Sequence, residues 1–164
     1  MRSILLVMIL ILPVAPIQNS AGLLQLGSKL KKKDIPTKSS DLYMTHPSQL
    51  RPYVKRIIDG VEYVIAYARK NREIRYVTTR DKNFKTMSGL KVGAYLETSR
   101  EGIVSYPGWE IRAPITSDGW YPVVGFNGDV TVVKDSGGQL IKCEDMEAGQ
   151  KMKLRVIGFS RGGN

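Results

Sequence analysis

Tyr76-Val77-Thr78-Thr79-Arg80-Asp81-Lys82-Asn83-Phe84-Lys85-Thr86-Met87-Ser88-Gly89-Leu90-Lys91-Val92-Gly93-Ala94-Tyr95-Leu96 is the stretch from which the rest of the chain can be read. A β-branched and aromatic run enters a polar turn, and a Gly-Leu-x-Val-Gly element then leads toward a short helix-like segment. Upstream, residues 53–58, the dipeptide Asp59-Gly60 and residues 61–68 carry a β-hairpin signature, with Val61, Tyr63, Ile65 and Tyr67 alternating on one face. Residues 69–72 read as a polar turn and 73–79 as a third strand. Downstream, residues 94–101 are expected to form a short helix that Gly102 ends. Residues 109–115 and 120–126 read as strands. Asn127-Gly128 is the strongest two-residue hairpin signal in the chain, leading into residues 129–134, and Gly137-Gly138 turns into 139–143. In residues 151–159, Met152, Leu154 and Val156 alternate with Lys151, Lys153 and Arg155, which gives a dry face and a basic wet one.

The N-terminus has the pattern of an export signal. Arg2 supplies a positive charge, residues 4–12 are uninterruptedly apolar, Pro13 ends the run, and Ser20-Ala21-Gly22 offers a small-residue cleavage site. The apolar run is too short to span a bilayer, and no later stretch is longer. Residues 1–22 are therefore expected to be removed, leaving an exported protein in the periplasm or outside the cell, with no transmembrane segment. Cys143 is the sole cysteine, so stability has to come from a hydrophobic core and not from internal disulfides. The net charge of +10 favours anionic partners such as lipid headgroups, anionic polymers or acidic proteins; it also serves solubility. Export makes nucleic acid an unlikely natural partner.

Leu24-Gln25-Leu26-Gly27-Ser28-Lys29-Leu30 and Leu90-Lys91-Val92-Gly93-Ala94-Tyr95-Leu96 share the pattern Leu-x-(Leu/Val)-Gly-x-x-Leu. In each copy the glycine is expected to hand an extended segment over to a helical turn whose final leucine docks on a sheet. Between the copies lie a lysine run and a stretch punctuated by Pro36, Pro47 and Pro52, read as irregular. The expected organisation is a signal peptide over 1–22, a short helical segment and Pro-rich connector over 23–52, a mainly antiparallel β domain over 53–159, and a disordered tail over 160–164. The fold class is α+β, mainly antiparallel sheet with one or two short helices, and the repeat leaves open two similar small halves.

The phrase Thr79-x-Asp81-x-x-Phe84-Lys85-Thr86-x-x-Gly89-Leu90-Lys91-Val92-Gly93 resembles a motif of small exported bacterial proteins of uncharacterised function. The repeat is similar in its logic to β-lactamase inhibitory protein, whose tandem units each pack a helical segment on an antiparallel sheet. That resemblance implies a fold built of two like halves. The chain departs from it in having one cysteine and no disulfide framework, so the likeness is one of fold only.

Catalytic and metal chemistry find little footing. The single histidine, His46, precedes Pro47 in the Pro-rich stretch, and Cys143 ends an expected strand. There is no histidine pair or Cys-x-x-Cys for a metal and no phosphate-binding glycine loop. Glu144, Asp145 and Glu147 do not have calcium-loop spacing. Glu97 and Glu110 can be nominated as paired acids, although sequence does not set their separation. No catalytic, cofactor or metal residue is therefore assigned. Tyr106, Trp109, Trp120 and Tyr121 crowd one part of the chain and form the candidate binding surface, which competes with a core reading for the same aromatics. The favoured function is non-catalytic binding of another envelope or secreted component, without cofactor. The alternatives are a small secreted carboxylate-dependent hydrolase of glycan or peptidoglycan, and a basic surface protein for anionic polymer or lipid headgroups.

Overall fold

The hairpin at Asp59-Gly60 forms as its dipeptide dictates. Strands β2 (Gln49–Ile58) and β3 (Val61–Tyr67) pair antiparallel, with Ile58 opposite Val61. Both loop residues have positive φ, 51° at Asp59 and 77° at Gly60, the geometry whose twist matches that of the flanking strands. The structure, a computed structural model, describes residues 24–36, 41–105, 108–126, 133–135, 140–141 and 147–162. The fold is mainly antiparallel β-sheet, as expected, and the helical pieces are short 3₁₀ turns such as Lys32–Asp34 and Arg100–Gly102.

Two sheets are described. In the larger, β1 (Leu42–His46), β2, β3 and β4 (Ile74–Thr79) lie in sequence. They are followed by β12 (Gly158–Gly162), β8 (Tyr121–Phe126), β7 (Glu110–Arg112) and β6 (Val104–Ser105). The smaller sheet orders β10 (Leu140–Ile141), β9 (Val133–Asp135), β11 (Lys151–Arg155) and β5 (Tyr95–Ser99). The larger sheet is curled, and Trp109 Nε1 donates to the Met44 carbonyl at 3.2 Å, tying the start of β7 to the edge strand β1.

Several expectations are corrected. Residues 95–99 form strand β5 and not a helix, because β11 supplies a complete ladder from Tyr95↔Arg155 to Ser99↔Lys151 that outweighs local propensity. The expected connector over residues 23–52 contains the β1–β2 hairpin, with Pro52 opposite Leu42 and just ahead of the first β2–β3 pair, Tyr53↔Ala66. The expected single strand over 151–159 is two: β11 ends at Arg155, the chain crosses between sheets at Val156-Ile157, and β12 begins at Gly158. Of the residues read as a tail, 160–162 belong to β12, which lies between β4 and β8, and 163–164 lie outside the described residues. The Asn127-Gly128 turn lies outside the described residues, and β8 and β9 on either side of it belong to different sheets.

One face of the larger sheet is apolar. Val54, Tyr63, Ile65, Val77 and Phe159 pack there with Trp120, and Leu24, Phe84 and Val156 cover them from neighbouring segments. The segment 79–93 acts as a fitted lid. Thr79 Oγ1 donates to the Glu62 carbonyl at 2.7 Å, and Asp81 accepts the Glu62 and Asn83 N–H groups at 2.9 Å each. The Phe84 ring sits 4.8 Å from Phe159 and 4.9 Å from Trp120. Buried Thr86 accepts the Leu90 N–H at 3.0 Å through its hydroxyl. The motif that stands out in sequence is thus a device for closing the core.

The two glycine-centred copies adopt the same local structure, and it is a turn. Ser28 N–H bonds the Gln25 carbonyl and Ala94 N–H the Lys91 carbonyl, with Gly27 (φ 83°) and Gly93 (φ 90°) at the third position of each turn. Gly27 N–H and the Ser28 carbonyl then bracket buried Ile74, just as Gly93 N–H and the Ala94 carbonyl bracket buried Val156. Leu30 and Leu96 both pack against the core from partly buried positions. Gly27→Ala and Gly93→Ala meet open space or ordinary contact at the new Cβ, so backbone strain alone is expected to destabilise each by about 1–2 kcal/mol in chemical denaturation. Gly158→Ala is expected to cost more than either, since its Cβ would lie 2.9 Å from the Thr79 carbonyl oxygen.

Candidate functional site

The other face of the larger sheet is lined with polar and aromatic side chains. Strand alternation places Tyr53, Ala66 and Tyr76 there, and Tyr43 and Trp109 pack with them. At its centre Glu110 and Arg112, two residues apart on β7, are buried to 1% and 2% exposure and joined at 2.9 Å. The Glu110 carboxylate also accepts from Ser160 Oγ of β12 at 2.8 Å and from the Tyr76 hydroxyl of β4. Arg112 donates a further hydrogen bond to the Gly162 carbonyl at 3.0 Å. Its guanidinium lies 4.4 Å from the Trp109 ring centre and 5.0 Å from that of Tyr121. Burial and the neighbouring Glu110 charge hold the Tyr76 phenol well above its ordinary range.

The candidate aromatic surface is therefore taken apart by the fold. Trp109 and Tyr121 flank the buried Arg112, while Trp120 stacks on Tyr63 in the opposite cluster and carries Arg161 over its ring at 4.3 Å. Trp109 and Trp120 are buried, on different faces of the sheet, and Tyr106 lies outside the described residues. Glu97 and Glu110 do not face one another: the first is exposed on the small sheet beside Lys151, the second sealed in the large one. His46 Nδ1 contacts Ser48 Oγ at 3.0 Å; Cys143, Glu144 and Asp145 lie outside the described residues. Among the described residues, no cluster of histidine, cysteine and carboxylates is arranged to hold a metal ion.

Beside the buried network, the curled sheet leaves a cleft of about 590 Å³ lined by residues of β1 to β4 and the turn that follows. Tyr43 and Tyr53 form one wall, their rings edge to face at 5.7 Å. Thr78, Thr79 and Val64 line the floor, and Lys55, Arg80, Glu62 and Asp81 bring charge to it. Tyr43 and Arg80 also border a second hollow of about 470 Å³, where Leu42 and Met44 of the edge strand meet Trp109 and Phe126. Arg80 lies over the Phe126 ring at 4.3 Å, fixed between the two hollows. Burial, followed by the Glu110 charge, raises the Tyr43 phenol, so it enters the cleft as a hydroxyl donor.

This arrangement can bind an anion flanked by a flat or apolar body, since cations, hydroxyls and ring faces converge on one concavity. Sequence reasoning missed it because the aromatics that build it, Tyr43 and Tyr53, come from a stretch read as connector and from an ordinary strand. Val64 and Thr78 did carry the signal of a sheet face, but only the ladder sets them beside Tyr43.

Removing Arg112 leaves the Glu110 carboxylate buried without its cation, so Arg112→Met is expected to lower unfolding free energy by about 3–5 kcal/mol. Replacing both partners, Glu110→Leu with Arg112→Met, is expected to cost less than the sum of the single changes in a double-mutant cycle. Tyr63 adds an alkaline signature. Burial, with the charges of Asp59 and Asp81, pushes its phenol up to about 12 from the ordinary 10.0. The unfolded chain loses that proton first, so the contribution is complete below pH 10 and is lost as pH rises toward 12. Stability is expected to fall across that window, and Tyr63→Phe to flatten the fall in denaturation midpoints measured against pH. No protein-family model, curated protein or solved structure matches the chain.

Proposed function

We propose that this is an exported, non-catalytic binding protein that takes an anionic group, carried by an envelope or secreted partner, into the cleft between Tyr43, Tyr53, Lys55 and Arg80. The cleft carries the reading. Two ring walls and two cations at one concave site suit capture of a negatively charged moiety, and charge-assisted hydrogen bonds from Arg and Lys are the stronger kind. Residues 1–22 are read as the leader that directs export.

The two acids at the cleft support binding better than hydrolysis. Asp81 is held below the usual carboxylate range by the N–H groups of Glu62 and Asn83, so it is poorly suited to donate a proton near neutrality. Glu62 is paired with Lys55 at 3.5 Å on the rim. Both acids thus have positioning work that explains their presence.

The test is a titration of carboxylate- and phosphate-bearing cell-wall fragments, followed by intrinsic tyrosine and tryptophan fluorescence. Arg80→Ala and Lys55→Ala are each expected to weaken capture about tenfold or more, with salt weakening the parent in the same direction. Lys153→Ala, on the wet face of the small sheet, is expected to bind as the parent does. Equal affinity in all three variants, or turnover of a fragment that Glu62→Gln abolishes, sinks the reading. Mass spectrometry of the secreted or periplasmic protein is expected to find an N-terminus near Leu23; an intact Met1 in the cytoplasm would remove export from it.

A further inference from the structure

The cleft lies toward the β2–β3 turn, where β3 begins and β4 ends. The opposite end of the larger sheet, around the β3–β4 turn at residues 68–73, has a different character. There the turn that begins at Leu24 docks onto the start of β4: Lys29 bridges Glu73, Leu30 N–H bonds the Arg72 carbonyl, and Ile74 N–H bonds the Ser28 carbonyl. This docking starts the lysine run at the β3–β4 turn, and the run leads from there to Asp34, which meets Arg56 of β2. Exposed Lys29, Lys31, Lys32 and Lys33 from one segment join exposed Arg69 and Lys70 from the other. The acids in these segments are already engaged, Glu73 by Arg75 at 2.9 Å and Asp34 by Arg56 at 3.9 Å. The result is a one-sign surface assembled from segments far apart in sequence.

Apolar side chains stand at the same end. Leu26, in the turn that carries the lysines, is 37% exposed and shares a hollow with Gln49, Arg51 and Arg75. Leu50, between Gln49 and Arg51 at the start of β2, is 59% exposed. Cations beside protruding leucines at one end of a molecule are what an anionic bilayer recognises: headgroups take the charge and the leucines enter the interface. Nucleic acid would want exposed aromatic platforms between the cations, whereas Leu26, Leu50 and Met44, which lies opposite Leu50, are aliphatic.

We propose that the β3–β4 end is a docking surface for a bilayer bearing anionic headgroups. Seated this way, the protein holds its cleft at the end turned away from the bilayer. The inference does not rest on the ligand proposed for the cleft, because different residues make the two surfaces.

The experiment is co-sedimentation of the protein, purified as the cell processes it, with vesicles of phosphatidylcholine alone or doped with phosphatidylglycerol. Binding is expected to the doped vesicles only and to fade as salt is added. Lys32→Ala, Arg69→Ala and Lys70→Ala combined are expected to lower partitioning on the order of a hundredfold at low salt. Lys82→Ala, Lys85→Ala and Lys91→Ala combined remove the same net charge from the loop over the core and are expected to change it little. Leu50→Ser is expected to weaken the binding that persists at higher salt. All these positions are exposed, and circular dichroism of each variant confirms that the sheet is intact. Equal losses in the two triple variants would reduce the effect to net charge and overturn the proposal. So would failure of the parent to bind doped vesicles, or a single-stranded oligonucleotide that binds more tightly than they do and needs the same Lys32, Arg69 and Lys70. Fragment titration of the cleft is read separately, so either result can fail without the other.

Discussion

The carboxylate of Glu110 is the point on which three strands converge. It receives Tyr76 from β4, Ser160 from β12 and Arg112 from its own β7, and it has almost no contact with solvent. An isolated charge there would be untenable, so the closed sheet has to supply each of those groups. The arrangement also sets what surrounds it. Arg112 needs ring faces to cover its plane, which draws in Trp109 and Tyr121, and one of its Nη2 N–H groups bonds the Gly162 carbonyl. Buried ion pairs commonly add little net stability over apolar replacements of similar shape, and what this cluster does visibly is join β4, β7 and β12 at one carboxylate.

The two faces of the sheet then divide the work. The apolar face is closed by the 79–93 lid, whose Phe84 plugs the core and whose Asp81 and Thr79 grip the start of β3. The polar face cannot be closed by the same means, because its centre is an ion pair and its rim carries Lys55, Arg80 and two phenols. Curling brings β1 toward β7 and turns that open face into a cleft. A concave site with fixed charges follows from the choice of one dry face and one polar face.

Charge is distributed along the same axis. The cleft end balances Lys55 and Arg80 with Glu62 and Asp81, whereas the β3–β4 end gathers lysines and arginines whose neighbouring acids are already paired. A bare net charge of +10 describes neither end. It is the docking of the Leu24–Leu30 turn on β4 that concentrates the positive potential.

Local chemistry in the sequence determined the Asp59-Gly60 hairpin, the alternation of Val61, Tyr63, Ile65 and Tyr67, the dry stripe of Met152 and Leu154, and the mainly antiparallel class. Those features depend on turn geometry and on period-two burial, which neighbouring residues settle among themselves. The likeness of the two glycine-centred segments was legible as well, and so was the need for glycine's backbone freedom in each, though both proved to be turns and not helix starts. Tertiary structure decided the rest. Residues 95–99 became a strand because β11 offered a ladder, and a polar segment at Ser160 entered the sheet because a buried carboxylate waited for its hydroxyl. The aromatic cluster of the second half was split between two faces by the register of β7, β8 and β12. The cleft joined Tyr43, Tyr53 and Arg80 only once β1 to β4 lay side by side. Long-range pairing has no local signature, since what satisfies a buried donor or charge is a group from another part of the chain.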